Sequence, residues 1–322
     1  MKKMLYISVF LALIMLILPL SVINDESKIV STAILSDNQT NTEKILSSTS
    51  FKVCNNATGD IAEIKTEDYI FGVVAAEMPA LYEEEALKAQ AVAAYTFALS
   101  RKAENSEKSY DITTDHTVDQ SFITEAEARE KWGSKSEEYA EKIKNAVSSV
   151  KDYIITYDGK PITSVYHAIS SGKTEDSNNV WGVSLPYLKS VASEGDKLSN
   201  DYISEKSFTA EELKQKFSAT TELTGEEKNY FKNITRTESG TVKNITVCSK
   251  ELTGARVRSI LDLRSSNFNI NYKDKKFTFT VYGYGHGVGM SQNGANYMAK
   301  QGSDFKEILT WYYTDCKVEK LS

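Results

Sequence analysis

GVVAAEMPA, residues 72–80, carries a single charge, that of Glu77. The neutral stretch around it runs from Tyr69 to Tyr82, bounded by Asp68 and Glu83, and Glu77 is its one carboxylate. Ionising a carboxyl in apolar company is unfavourable, so desolvation is expected to raise its pKa and keep a proton on it near neutral pH. A protonated Glu beside a groove is what glycosidic cleavage needs, because the leaving oxygen must be protonated. Hydrolysis usually adds a second carboxylate. No equally isolated acid is visible; Glu83, Glu84 and Glu85 sit at a helix start, where they complement the dipole. A single-acid mechanism therefore fits better. The competing reading is a buried Glu paired with Lys or Arg.

Three further stretches carry candidate chemistry. In GYGHGVGMSQ, Gly283, Gly285, Gly287 and Gly289 alternate. The spacing matches neither the dinucleotide fingerprint nor a phosphate loop. Alternating Gly admits a close ligand or strand, with His286 projecting from a bare strand and Ser291 and Gln292 offering hydrogen bonds at the next helix start. A tight packing corner would read the same way. In YHAISSGKTEDSNNVWG, residues 166–182, His167 leads into a loop bearing Ser170, Ser171, Lys173 and Thr174, dense in donors for a polyhydroxylated ligand. A solvated loop is the alternative. In DITTDHTVDQSF, Asp111, Asp115, His116 and Asp119 invite a metal, but the segment holds one His and no Cys, short of a closed structural zinc site. The three histidines, 116, 167 and 286, are far apart in sequence and would have to converge in space. No GxSxG elbow is present, and no Cys sits in a nucleophile's context.

The elements that position these residues follow from capping and periodicity. A helix from about Thr66 stops near Met78, because Pro79 drives its predecessor out of the helical region. Glu77 then falls in its last turn, an unfavourable place for an anion. A second helix, from about Glu83 to Lys102, carries the Ala-rich ALKAQAVAAYTFAL, which admits close neighbours, with Gln90 on it. Capping boxes at Thr124–Glu127 and Thr209–Glu212 open two more helices, and Phe208 with Leu213 forms a staple at the latter. A helix is expected over 136–149. YIITYDGKPITSVYHA predicts a hairpin about Asp158-Gly159. KFTFTVYG alternates as a strand and leads into a helix capped at Ser291 and stopped at Gly302. Helices grouped with separate antiparallel hairpins predict an α+β fold around a substrate groove.

Residues 1–4 hold Lys2 and Lys3, and the uncharged run 5–23 is about long enough to cross a bilayer core of roughly 30 Å. No small-x-small cleavage site follows Pro19, so a signal-anchor is expected, with the N-terminus in the cytoplasm and the rest outside. A cleaved secretory signal is the alternative. Residues 24–50, rich in Ser, Thr, Asn and Gln, read as a tether, and 51–322 as the globular domain. The 322 residues carry net charge −6 with no basic stripe, which excludes a nucleic-acid footprint. Eighteen tyrosines suit a sugar groove as well as an ordinary core. Three distant cysteines, Cys54, Cys248 and Cys316, form no disulfide framework.

Taken together, YIFGVVAAEMPALYEEEALKAQAVAAYTFA, YHAISSGKTEDSNNVWGVSLPYLKSV and YGYGHGVGMSQNGANYMAKQG resemble, in order and spacing, the three signature blocks of the stage II sporulation protein D (SpoIID/LytB domain) family. The resemblance covers roughly residues 51–322. It implies a membrane-anchored lytic transglycosylase that cuts peptide-stripped peptidoglycan glycan between N-acetylmuramic acid and N-acetylglucosamine during engulfment. It implies stage II sporulation proteins P and M as partners, the sporulation septum as location, and Glu77 of the AEMP motif as catalytic residue. With it go groove contacts from Gln90, Ser170, Lys173, Thr174, His286, Ser291 and Gln292, and no cofactor. Two positions depart from the pattern: Tyr95 stands where AARTY has Arg, and Ser171 where SGGKT has its first Gly. Some members carry a Cys-His zinc site in the segment matching 111–122; those cysteines are absent, so no metal is expected. Some relatives enhance amidases, which keeps open a non-catalytic glycan-binding module that recruits one.

Overall fold

The computed structural model describes residues 49–115 and 117–321. The anchor expected over 5–23, nearly all of the tether and His116 lie outside the described residues. Among the described residues, no helix is long and apolar enough to cross a membrane.

The chain opens with β1 (Ser50–Cys54) and β2 (Ile61–Lys65), an antiparallel pair running into α1 (Thr66–Glu77). Helix α1 is apolar almost all round and buried from Tyr69 to Ala75. It ends as Pro79 requires: Met78 is extended, at φ −117° and ψ 143°. Helix α2 (Glu84–Glu104) follows and forms the axis of the unit, with Ala86, Ala89, Ala91, Ala93, Ala94 and Ala98 all buried. With only methyl groups there, neighbouring helices come close from several sides.

Strand β3 (Ile112–Thr113) returns parallel to β1, and α3 (Glu125–Trp132) opens on the expected capping box at Thr124. Helix α4 (Ser136–Ser149) matches its expected bounds and packs on α1 and α2. The hairpin of β4 (Tyr153–Tyr157) and β5 (Lys160–Pro161) turns where expected, with Asp158 and Gly159 at φ 49° and 73°. Its return arm is short. Beyond Pro161 the chain leaves the hairpin, and β6 (Tyr166–His167) pairs in parallel with β13 (Met290–Ser291). To the expected antiparallel hairpins the structure thus adds two short parallel pairs, here and at β3. Both parallel pairs join segments far apart in sequence, which no local turn signal announces.

After the short α5 (Ser177–Trp181), a second hydrophobic core begins. Strand β7 (Ile203–Thr209), α6 (Ala210–Phe217), β8 (Phe231–Arg236), β9 (Val242–Val247), β10 (Lys250–Thr253), α7 (Gly254–Leu261), β11 (Phe268–Lys273) and β12 (Lys276–Tyr282) form two three-stranded antiparallel sheets with two helices. Along β12, Phe277, Phe279 and Val281 point inward at period two, joining Phe208, Phe217 and Phe268. The chain then rejoins the first unit, where Gly283 N–H donates to Tyr202 O at 2.8 Å. Strand β13, α8 (Gln292–Lys300), α9 (Phe305–Tyr312) and β14 (Lys317–Lys320) complete the first core. Residues 51–321 thus enclose two hydrophobic cores, the second inserted between β6 and β13.

Candidate active site

Glu77 is the last residue of α1 and is half-buried. Its Oε1 accepts a hydrogen bond from the Ser121 backbone N–H at 2.8 Å. The loop that brings Ser121 there crosses α1 at Gly72, where a β-carbon would collide with the Phe122 ring and the Ile123 carbonyl. Phe122 stacks on Tyr69 with ring centroids 5.5 Å apart and planes at 11°. Glycine at 72 is thus required by the close crossing, and the crossing aims the Ser121 amide at the end of the helix.

Two buried phenols flank the carboxyl. The hydroxyls of Tyr69 and Tyr166 titrate well above the ordinary tyrosine range, first through burial, and then through nearby carboxylates that include Glu77. Both remain neutral and can donate. Tyr166 donates to Gln120 Oε1 at 2.9 Å.

The acids of the 111–119 segment are engaged elsewhere. Asp119, with its side chain fully buried, pairs with Arg101 Nε at 2.5 Å and accepts from Thr113 N–H and Oγ1 at 2.8 and 3.0 Å. Asp111 pairs with Lys102 at 3.0 Å and accepts from Lys52 N–H. Among the described residues, no three His, Cys, Asp or Glu side chains gather as a metal would need. The cysteines are free and half-buried.

Of the two readings of the glycine-rich stretch, the structure has the tight packing corner and not the bare strand: Gly283, Gly285, Gly287 and Gly289 all have positive φ, from 73° to 115°. The alternation therefore marks a chain of left-handed residues that only Gly adopts at ease. The neighbour it admits is the protein's own backbone. A β-carbon on Gly289 would strike the Val165 carbonyl, and one on Gly285 would sit 2.8 Å from His167 Cβ. The His286 ring lies between His167 and Trp181, with centroid distances of 5.8 and 5.4 Å. Val288 N–H donates to its Nδ1 at 3.1 Å, and the ring also bonds the Tyr166 backbone. Burial lowers its pKa to about 3, with His167 adding to the shift, so it is neutral at physiological pH. Burial likewise lowers that of His167, which donates from Nδ1 to Val288 O at 3.0 Å and leaves Nε2 without a partner.

The remaining expected contacts fall into two groups. Gln90 and Gln292 meet in the interior, Gln292 Nε2 donating to Gln90 Oε1 at 3.4 Å while Gln90 Nε2 has no partner. Ser170, Thr174 and Ser291 are buried, with their hydroxyls engaged within the protein. Ser170 and Ser291 donate to opposite oxygens of the buried Asp196, at 2.5 and 2.8 Å. Ser291 also caps α8, accepting from Gly294 N–H at 3.1 Å. Thr174 donates to Lys189 O and accepts from Val191 N–H. Lys173 is half-exposed at the seam with the inserted unit, 3.3 Å from Glu238. The same seam is closed by the buried Glu175, which accepts from Thr237 at 2.7 Å and from Ser239. Sequence reasoning missed Gln120, Ser121, Glu175 and Asp196. Ser121 acts through its backbone, and the other three are polar residues whose partners lie far along the chain.

A cavity of about 710 Å³ lies elsewhere, floored by Ile70, Ala91, Tyr95, Val147 and Val150. Tyr95 faces this cavity and meets Phe51 edge-on, and burial pushes its pKa up to about 12. None of Glu77, His286 and Trp181 lines it.

The helix-terminal carboxyl lies in the first of the three signature blocks and the glycine-rich corner in the third, while the crossing loop at 119–123 lies between the first and second. The stage II sporulation protein family profile matches residues 54–157. The chain is 35% identical over 281 residues to stage II sporulation protein D of Bacillus subtilis (strain 168), spanning 84% of this chain and 79% of the relative. It is 33% identical over 267 residues to the protein of the same name from Bacillus amyloliquefaciens, spanning 82% and 77%. A shorter match, 34% over 117 residues, links 36% of this chain to 14% of an amidase enhancer of Bacillus subtilis (strain 168). The chain belongs to the stage II sporulation protein D family.

Proposed function

We propose that this chain is a lytic transglycosylase of peptidoglycan, with Glu77 as its single acid and base. One observation carries the reading: a half-buried carboxyl at a helix end, held by a backbone N–H, while Asp111 and Asp119 are engaged with Lys102 and Arg101. A water-using mechanism needs a second carboxylate roughly 5–9.5 Å from the first. The intramolecular route needs none. Glu77 protonates the glycosidic oxygen between N-acetylmuramic acid and N-acetylglucosamine, and the C1–O bond breaks. The Glu77 carboxylate then takes the proton of the muramic acid 6-hydroxyl as that oxygen bonds C1. A 1,6-anhydro ring results, no water is consumed, and Glu77 regains its proton.

On this reading the substrate is peptide-stripped glycan, cut during engulfment. The run 5–23 is the anchor, the catalytic unit lies outside the membrane, and stage II sporulation proteins P and M are the partners. Gln90, Ser170, Lys173, Thr174, His286, Ser291 and Gln292 line or shape the groove. The likeness to an amidase enhancer favours a second reading, a glycan-binding module that recruits an amidase. Mass spectrometry of fragments from peptide-free strands decides between them. Fragments one water lighter than hydrolysis products, absent with Glu77→Gln, support the transglycosylase. Reducing-end products indicate a second acid. Equal binding without products in both proteins leaves the recruiting module.

A further inference from the structure

We infer that Gln120 is the positioning residue of Glu77: it holds the Ser121 amide against Glu77 Oε1, an inference that rests on the reading of Glu77 as the acid. The Ser121 N–H lies in the rigid peptide plane that begins at the Gln120 α-carbon, so fixing Gln120 fixes the donor. Gln120 is 2% exposed and its amide bonds three partners on three elements. Nε2 donates to Tyr69 OH on α1 at 3.4 Å and to Ala94 O on α2 at 3.2 Å. Oε1 accepts from Tyr166 OH on β6 at 2.9 Å.

Neighbouring residues constrain the loop differently. Asp119 ties it to Arg101 on α2, and Phe122 stacks on Tyr69 of α1. Neither reaches β6. Gln120 alone among these three also bonds β6, through a phenol that lies within the field of Glu77. The acid is thereby kept in register with the strand that carries Tyr166 and His167. A displacement of about 1 Å at a reacting group lowers turnover by roughly 100-fold.

The test uses the purified full-length protein and Gln120→Leu, which keeps the volume and removes all three bonds. Hydrogen exchange of the 119–123 segment is read by mass spectrometry, beside the kinetics of anhydro-product release. Faster exchange, kcat lowered about 10- to 100-fold and KM within about threefold is the expected result. In Gln120→Leu/Tyr166→Phe the hydroxyl left without an acceptor is gone, so Tm recovers while kcat does not. Unchanged exchange overturns the inference whatever the activity. Faster exchange with unchanged kcat, or kcat recovering together with Tm, also overturns it. Faster exchange in a protein whose parent releases no anhydro product supports the anchoring and instead removes the transglycosylase reading.

Discussion

Ser291 Oγ donates to Asp196 Oδ1 at 2.8 Å across 95 residues of sequence, joining the start of α8 to the buried segment before the inserted unit. The same oxygen takes a bond from Asn293 Nδ2, and Oδ2 takes the Ser170 N–H and hydroxyl. Four donors thus solvate a carboxylate that is 0% exposed. Asp196→Ala strands these donors in the interior and is expected to destabilise the protein by about 3 kcal/mol. Asp196→Asn, which sets an amide N–H₂ against some of the donors, should recover only part of that. Chemical denaturation of the three proteins checks the order; equal midpoints would mean that water reaches the site.

Acid should loosen the glycine-rich corner. The pKa of His286 is lowered by burial to about 3, against about 6.5 in an unfolded chain. The unfolded state therefore binds more protons between those values, and stability rises with pH across that window. It is complete above about pH 6.5 and lost progressively as pH falls toward 3. Burial shifts His167 in the same direction. Melting temperature between pH 7.5 and 4.5 should fall in the parent and fall less in His286→Gln. Parallel slopes would assign the acid sensitivity to other groups.

How much of this was legible in sequence depended on the range of the interaction. The two capping boxes at Thr124 and Thr209, the bounds of α4 and the stop at Pro79 are local and appear where expected. Glu77 stood out because an isolated charge among apolar residues is itself a local anomaly. The hydroxyls of Ser170, Thr174 and Ser291 looked like ligand donors because their acceptors, Asp196 and the Lys189 carbonyl, come from other segments. The second core was hidden for the same reason: strands such as β7 and β12 pair across some 70 residues. The Ser121 amide left no trace, since every residue but Pro carries one.

Gly289 should tolerate no side chain. Its φ of 73° disfavours any L residue, and a β-carbon there would overlap the Val165 carbonyl beside the β6–β13 pair. Gly289→Ala is expected to lose about 2–4 kcal/mol, more than the roughly 1 kcal/mol of the backbone conformation alone. Gly302→Ala is the control: its φ is 96°, but a β-carbon there meets nothing within 4 Å. A larger loss at Gly302 than at Gly289 would show that conformation, not crowding, governs the corner.

Arg101 and Asp119 form the buried ion pair nearest the loop that carries Ser121, with side chains 9% and 0% exposed. Burial disfavours the Arg101 charge, but Asp119 and Glu104 outweigh it and raise its pKa. Removing one partner leaves the other charge buried, a loss of about 3–5 kcal/mol. Arg101→Met should therefore destabilise strongly, through Asp119 and Glu104 together. Asp119→Asn keeps a hydrogen-bond acceptor for Thr113 and should cost less. Because Asp119 precedes Gln120, both variants are expected to speed hydrogen exchange at residues 119–123 at temperatures well below the melt. If exchange there stays at the parent rate while global stability falls, the ion pair supports α2 alone and the loop is held by Gln120 and Phe122.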